Sequence, residues 1–393
     1  MRLGLLSRRG LSKIAQGTVF QVPGSVLVSI GSLKGNSIGT TSNLLFPFRE
    51  GTQYRTGDLV PSGQKAILSA YAQGVKMKTT TLSILALFLG LLSGCSSEPG
   101  SSPRERAEGA AKWTIGMSQC NLGEPWRVQM VEDIREAAKA YPEINVVFKD
   151  AQNDTLKQRS QIEEFTSAGV DLLIVSPKEA APLTPPVAEA FRKGIPVIVL
   201  DRRILGDQYT CFIGADNRKI GRAAGRWIVE RLNGKGKVVE LKGLMTSTPG
   251  QDRHAGFREA IEGTDIEIIF EADMKWLEPD ARREMESALA RFPKIDLVYA
   301  HNDPGAHGAY LAARAAGREK DIVFVGIDAL PNEGQVYARQ GILGATFEYP
   351  TGGREAVETA LKILRGEEVP KEIVLPSRLF TAENIDDGGV VVD

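Results

Sequence analysis

Two doubly wound α/β lobes with parallel sheets, joined by a multi-stranded hinge, are the architecture that this 393-residue sequence predicts. Three observations carry it. From Trp113 onward, short apolar runs alternate with stretches whose apolar residues recur at helical spacing. The runs are apolar on both faces, as strands covered by helices on either side must be. The alternation comes in two successive series, after which the chain turns back toward the first. The roughly 280 residues from Lys112 to Asp393 suffice for two lobes of ordinary domain size.

In the first series, "WTIGMS" precedes a helix with Val131, Ile134, Ala138 and Tyr141 on one face, and "INVVF" precedes one with Ile162 and Phe165 facing in. "DLLIVSP", "IPVIVLDRR" and "CFIGADN" continue the βαβ pattern. Gly169 and Gly194 fall where helices end in the left-handed region. The second series runs through a helix around Arg226, "KVVELKG", a helix through Phe257, "IEIIF", a helix through Met285, "IDLVYAHND", a further helix and "DIVFVGID". The segment "ILGATFEY" and a helix from about Gly353 to Arg365 then cross back. The expected lobes are 112–213 with about 350–375, and 214–349 with about 376–393.

Ahead of the lobes lies a different kind of chain. Leu82–Leu92 is uncharged and apolar, follows Met77 and Lys78, and ends in Leu92-Ser93-Gly94-Cys95. It is too short to span a bilayer and has the length of a signal peptide core. Residues 77–94 read as a signal peptide. The Leu-Ser-Gly-Cys run resembles the lipobox of bacterial lipoproteins, which implies cleavage before Cys95 and lipid on its sulfur. Residues 95–111 are small, polar and broken by Pro and Gly, the composition of a flexible tether. A signal peptide works only at an N-terminus, so residues 1–76 read as a non-native extension from an early start, with a basic targeting arm as the alternative. They hold nine Lys/Arg against two Asp/Glu and show no sustained period of 2 or 3.6. With them and Lys78 set aside, 38 basic residues face 47 acidic ones, a balance that disfavours nucleic acid as a partner.

In open parallel sheets ligands bind outside the carboxyl ends of the strands. Those ends carry the most polar residues of this chain: Ser118 with Glu124, Trp126 and Arg127; Asp201 and Arg202; Gln251, Asp252 and Arg253; Trp276; Asn302 and Asp303; Asp328; and Glu348. Carboxylates, amides and guanidiniums can engage the adjacent hydroxyls of a sugar in pairs, while its C–H face lies on an aromatic ring. The two signs of charge balance, which suits a neutral polyol better than an anion.

The motifs "VIVLDRR", "IGADN", "DRHAGF", "VYAHND" and "VGIDALP" resemble those of the periplasmic sugar-binding proteins of ABC importers, of the ribose- and galactofuranose-binding type. The similarity runs from about Thr114 to Leu364, and Trp126-Arg127 is most similar to the galactofuranose branch. It implies the type I periplasmic binding protein fold, a monosaccharide (a pentose or hexose, furanose form included) as ligand, and no cofactor. By matching position, Trp126 and Trp276 would sandwich the ring and Asp201, Arg202, Asn302 and Asp328 would hold hydroxyls. Gln251, Glu124 and Glu348 stand where ribose binders carry Arg, Asn and Gln. The implied partners are the membrane subunits of an ABC permease, and the implied state is a monomer in the periplasm or cell envelope, held to the membrane by its lipid. The same fold also serves as the ligand-binding subunit of membrane signalling kinases.

Other chemistry is poorly supported. His301 and His307 are six apart with no cysteine nearby, which fits no ordinary metal motif. The glycines of "GRAAGRW" sit within a helical pattern, where Gly221 and Gly225 serve packing rather than phosphate binding. A glycosidase needs two carboxylates at a defined separation, and each here has a competing binding role; no Gly-x-Ser-x-Gly elbow occurs. Cys120 and Cys211 are either two buried thiols or one disulfide.

Overall fold

The computed structural model describes three strands within residues 17–47 and all residues from 111 to 393. The signal segment 77–94, Cys95 and the tether up to residue 110 lie outside the described residues. The three strands, β1 (Gly17–Val22), β2 (Ser25–Lys34) and β3 (Ser37–Pro47), pair antiparallel in that order. Residues 1–76, read from sequence as a non-native extension, thus contain paired strands although they show no sustained period of 2. β-Branched residues such as Val19, Val26, Val28 and Ile30 favour extended backbone. The sequence offers the turn-forming dipeptides Pro23-Gly24 and Gly35-Asn36 rather than a period.

From Pro103 onward the chain forms a separate compact unit. Its first sheet has six parallel strands: β4 (Trp113–Gln119), β5 (Ile144–Asp150), β6 (Leu172–Ser176), β7 (Val197–Leu200), β8 (Cys211–Ala215) and the late β14 (Glu372–Leu375). Their order is β14-β8-β7-β6-β4-β5. Helices α1 (Pro125–Ala138), α2 (Thr155–Ala168) and α3 (Ala180–Arg192) connect them. The second sheet contains β9 (Lys235–Lys242), β10 (Asp265–Asp273), β11 (Leu297–Ala300), β12 (Val323–Asp328), β13 (Ala345–Glu348), β15 (Arg378–Phe380) and β16 (Val390–Val391). Its order is β10-β9-β11-β12-β13-β15-β16, parallel up to β13 and antiparallel at the β15–β16 edge. Helices α4 (Asn217–Arg231), α5 (Thr248–Ile261), α6 (Glu278–Arg291), α7 (Asp303–Ala315) and the short α8 (Gly334–Arg339) belong with it. Helix α9 (Gly353–Leu364) returns to pack on α1.

The chain therefore passes between the sheets three times: between β8 and α4, between β13 and α9, and between β14 and β15. The central strands are covered on both faces. Every residue of β6, β7, β8 and β11 is buried, each large aliphatic side chain contributing about 1.5–3 kcal/mol on leaving water. Cys120 and Cys211 are buried free thiols.

Local signals set where elements begin and end. The Asp154 carboxylate accepts from two amides at the start of α2, and Gly169 ends that helix at φ 66°. Helices α4 and α5 pack so closely that a Cβ on Gly221 would lie 2.4 Å from the Arg253 carbonyl oxygen, and one on Gly225 would lie 2.5 Å from the Ala260 Cβ. The glycines are a packing surface, and the residue they hold in place is Arg253.

Candidate functional site

A narrow cavity lies between the lobes at the carboxyl ends of the strands. Its lining takes in Glu124, Trp126, Arg127, Asp201 and Arg202 from the first lobe, Pro249, Arg253, Trp276, Asn302 and Asp328 from the second, and Tyr349 from the crossover between β13 and α9.

Helix α1 begins with Glu124 at its N-cap position and Pro125 in the first turn. The Glu124 side chain does not cap the helix. It accepts from Asn121 Nδ2 at 2.9 Å and faces the cavity. The next turn delivers Trp126 and Arg127, both buried. Trp126 Nε1 donates to the Tyr349 carbonyl at 2.6 Å, and its ring stacks on that of Tyr349 with centroids 5.0 Å apart. Arg127 Nη1 donates to Asp201 Oδ2 at 2.6 Å and to Ser176 Oγ at 2.8 Å. Asp201, just past β7, is held at φ 69°. Its other oxygen accepts from the Tyr349 hydroxyl at 2.8 Å. Burial alone would raise the Asp201 carboxyl, but the Arg127 and Arg202 guanidiniums and the hydrogen bonds outweigh it and hold it below its ordinary value. Arg202 Nη1 donates to the Lys178 carbonyl at 3.0 Å.

On the opposite wall Arg253 Nε donates to Asn217 Oδ1 at 2.9 Å and Nη1 donates to the His301 carbonyl. Trp276 follows β10 in a tight turn at φ 72°, with its indole against the backbone of Gly243. The Arg202 and Arg253 guanidinium carbons lie 5.4 and 5.3 Å from its ring centroid. Its Nε1 is buried without a partner, as are Nε of Arg127 and of Arg202. Asn302 caps α7 through its oxygen and donates from Nδ2 to the Trp276 carbonyl at 3.0 Å. Asp328 ends β12 at φ 132°, and burial pushes its carboxyl well up, with Asp303, Glu333 and Glu124 adding to the rise against Arg253.

The lobes also meet at the lip of the cavity. Ala180 N donates to the Thr246 carbonyl at 3.2 Å, and Arg203 N donates to Thr248 Oγ1 at 3.0 Å. The arrangement is closed.

Five residues singled out from sequence do not line the cavity: Ser118, Gln251, Asp252, Asp303 and Glu348. Ser118 is buried in β4 and donates to Gln161 on α2. Gln251 is exposed and bonds the Met245 carbonyl. Two residues before Arg253 on one helix, it lies about 200° around the axis, whereas Pro249, four residues before Arg253, shares its face. Glu348 lines a neighbouring groove with Ala329 and Pro331 instead. Tyr349, the next residue, takes the place expected for it. Strand alternation could have flagged Tyr349, but the phase at which a strand exits is not readable from composition.

The histidines serve separate clusters. His301 and His254 both bond Glu240 Oε1, at 3.1 and 2.8 Å, and these bonds bring the Glu240 carboxyl down to about 2 against its burial. His307 stacks on Tyr337 with centroids 4.5 Å apart. Glu240, His254 and Glu271 place ligand atoms within 4.8 Å of one another. Arg258 already spans the two carboxylates at 3.4 and 2.6 Å and supplies the positive charge there.

Comparison with known proteins defines the class. Residues 115–368 match the periplasmic binding protein domain family. The chain belongs to that family: it has the type I periplasmic binding protein fold, is a binding protein rather than an enzyme, and is of an extracytoplasmic kind. It is similar to the ribose import binding protein of Bacillus subtilis, 31% identical over 307 residues that cover 78% of this chain and 99% of that protein. Among solved structures it resembles the fructose-binding periplasmic domain of a hybrid two-component system, with 47% identity, a TM-score of 0.69, and coverage of 70% of this chain and 93% of that one. It also resembles a galactofuranose-binding protein, with 29% identity, a TM-score of 0.67, and coverage of 70% and 96%.

Proposed function

We propose that this protein captures a monosaccharide between its lobes and delivers it to the membrane subunits of an ABC permease, tethered to the membrane through lipid on Cys95. The observation that carries the reading is the composition of the cavity: two tryptophans from different lobes, with three guanidiniums, three carboxylates and an amide around them. A ring stacked on indole with its hydroxyls against charged, forked groups satisfies both kinds of surface. Unpartnered buried donors on Trp276 and Arg202 are available to sugar oxygens. One small ligand touches Asp201 and Asp328 together only when the lobes are shut, so binding and closure are one event. Relatives and neighbours that bind ribose, fructose and galactofuranose support the sugar class.

Titrating the intact chain with D-fructose, D-ribose, L-arabinose and D-galactose should change tryptophan fluorescence for at least one of them. Trp276→Ala should weaken that sugar by about 1–3 kcal/mol. Trp126→Ala should also cost about 3–5 kcal/mol of stability, because its indole is packed and bonded to Tyr349. Unchanged affinity in both variants removes the aromatic clamp. Cys95→Ala should move the protein from the membrane fraction to the soluble one; retention on membranes removes the lipid anchor.

A sensor role is the second reading, favoured by the 47% identity to a two-component system domain. Loss of labelled-sugar uptake on deleting the gene supports delivery, whereas intact uptake with a lost transcriptional response to the sugar supports sensing.

A further inference from the structure

One acidic side chain of the second lobe lies outside the cavity lining yet grips the backbone beneath it. Asp303, the first residue of α7, is fully buried. Its Oδ2 accepts from Ala329 N at 2.7 Å and its Oδ1 accepts from Thr346 Oγ1 at 2.7 Å. Ala329 N belongs to the peptide that joins Asp328, at φ 132°, to Ala329, at φ 50°. Residues with side chains do not hold such angles unaided, so the surroundings must impose them.

Two glycines shape the grip. A Cβ on Gly326 would lie 2.1 Å from Asp303 Oδ1, and one on Gly334 would lie 1.9 Å from Oδ2. The carboxylate is wedged between the β12 backbone and the start of α8, with no room to turn or lengthen. It also directly follows Asn302, whose amide holds the Trp276 carbonyl. Trp276, Asn302 and Asp328 are thus tied into one set, with Asp303 as the tie to Asp328.

We propose that Asp303 is a positioning residue: it fixes the strained Asp328–Ala329 peptide and so aims the Asp328 carboxylate into the cleft, a role that rests on Asp328 being a sugar contact. The replacement Asp303→Ala removes both acceptors and leaves Ala329 N–H and the Thr346 hydroxyl without this partner, whereas an asparagine there could still accept from Ala329 N–H and donate to Thr346 Oγ1.

The test is a double-mutant cycle on the intact chain, titrated with whichever of D-fructose, D-ribose, L-arabinose and D-galactose binds the wild type most tightly. Asp303→Ala should weaken binding at least about tenfold in the wild-type background and less than about twofold in an Asp328→Ala background. Asp303→Glu should not restore affinity, since the glycine wedge has no space for another methylene. Urea midpoints recorded alongside separate stability from affinity. If Asp328→Ala binds like wild type, the contact reading has failed and takes the proposal with it. If Asp328→Ala loses affinity while folded Asp303→Ala keeps it, or loses equally in both backgrounds, the positioning role alone is overturned. Should Asp303→Ala not fold, Thr346→Val removes the donor to Oδ1. It should give a smaller loss that again vanishes beside Asp328→Ala, and an equal loss in both backgrounds overturns the proposal.

Discussion

Asp201→Ala is expected to cost about 3–5 kcal/mol of folding stability in addition to sugar affinity, because it strands the Arg127 guanidinium in a buried site. Arg127 Nη1 lies 2.6 Å from Asp201 Oδ2, and both side chains are almost fully enclosed. From sequence alone the two proposed contacts Asp201 and Asp328 look equivalent, each expected to lose affinity with little effect on the fold. The structure separates them. Asp328 is enclosed beside Asp303 and Glu333 with its carboxyl pushed up, so Asp328→Asn should leave the sugar-free fold as stable as wild type or more so. Urea unfolding with calorimetric sugar titration measures both quantities. An Asp201→Ala protein within about 1 kcal/mol of wild-type stability would show that Arg127 has another adequate partner.

Sugar-free protein should become more stable as pH falls from about 8.5 to about 6.5. Burial, with Asp303 and Glu278 nearby, raises the Glu333 carboxyl to about 8, and burial raises Asp303 to about 6 and Asp328 well above its usual range. A carboxyl raised in the folded state binds a proton that the unfolded chain does not. Its stabilising contribution is complete below the unfolded value and is lost as pH climbs through the folded one. One such proton is worth about 1.4 kcal/mol per pH unit over which the two states differ. Groups held below their ordinary values act the other way at lower pH, the buried Asp201 among them, whose contribution is lost as pH falls through its lowered value. His301, lowered chiefly by burial, favours folding above its unfolded value and opposes further gain below about pH 6.5. Glu240, held at about 2, contributes stability that is lost as pH falls from its unfolded value near 4.3 toward 2. Thermal midpoints at pH 6.5 and 8.5 test this, and Glu333→Gln should remove much of the difference. A flat profile in wild type would mean that the acidic cluster is already solvated.

The fold was legible because its strands are covered on both sides. Runs such as Val197–Leu200 and Leu297–Ala300 are apolar throughout, a pattern that admits few other architectures. The cavity was partly legible because strand ends converge there: Asp201, Asn302 and Asp328 follow from position alone. What stayed hidden depended on local geometry. Gln251 sits two residues from both Pro249 and Arg253, which line the cavity, but faces away, and Ser118 is turned into the first lobe toward Gln161. The choice between Glu348 and Tyr349 turns on a single step of the chain. The Asp303 grip was out of reach because it joins residues 26 and 43 positions apart in sequence. For β1–β3 the sequence offers turn-forming dipeptides, which a periodicity reading ignores.

The unusual backbone angles at Asp201, Trp276 and Asp328 also bear on how this binding site can evolve. At those positions a new side chain must first tolerate a conformation that β-branched residues avoid, so most exchanges are penalised before any ligand is met. Glu124, at φ −115°, and Asn302, at φ −151°, carry no such restriction. Drift in sugar preference, whether natural or in a directed-evolution library, should therefore accumulate at Glu124 ahead of the three constrained sites. Asn302 is backbone-permissive but doubles as a helix cap, so it should change less freely than Glu124 and chiefly to Asp or Ser.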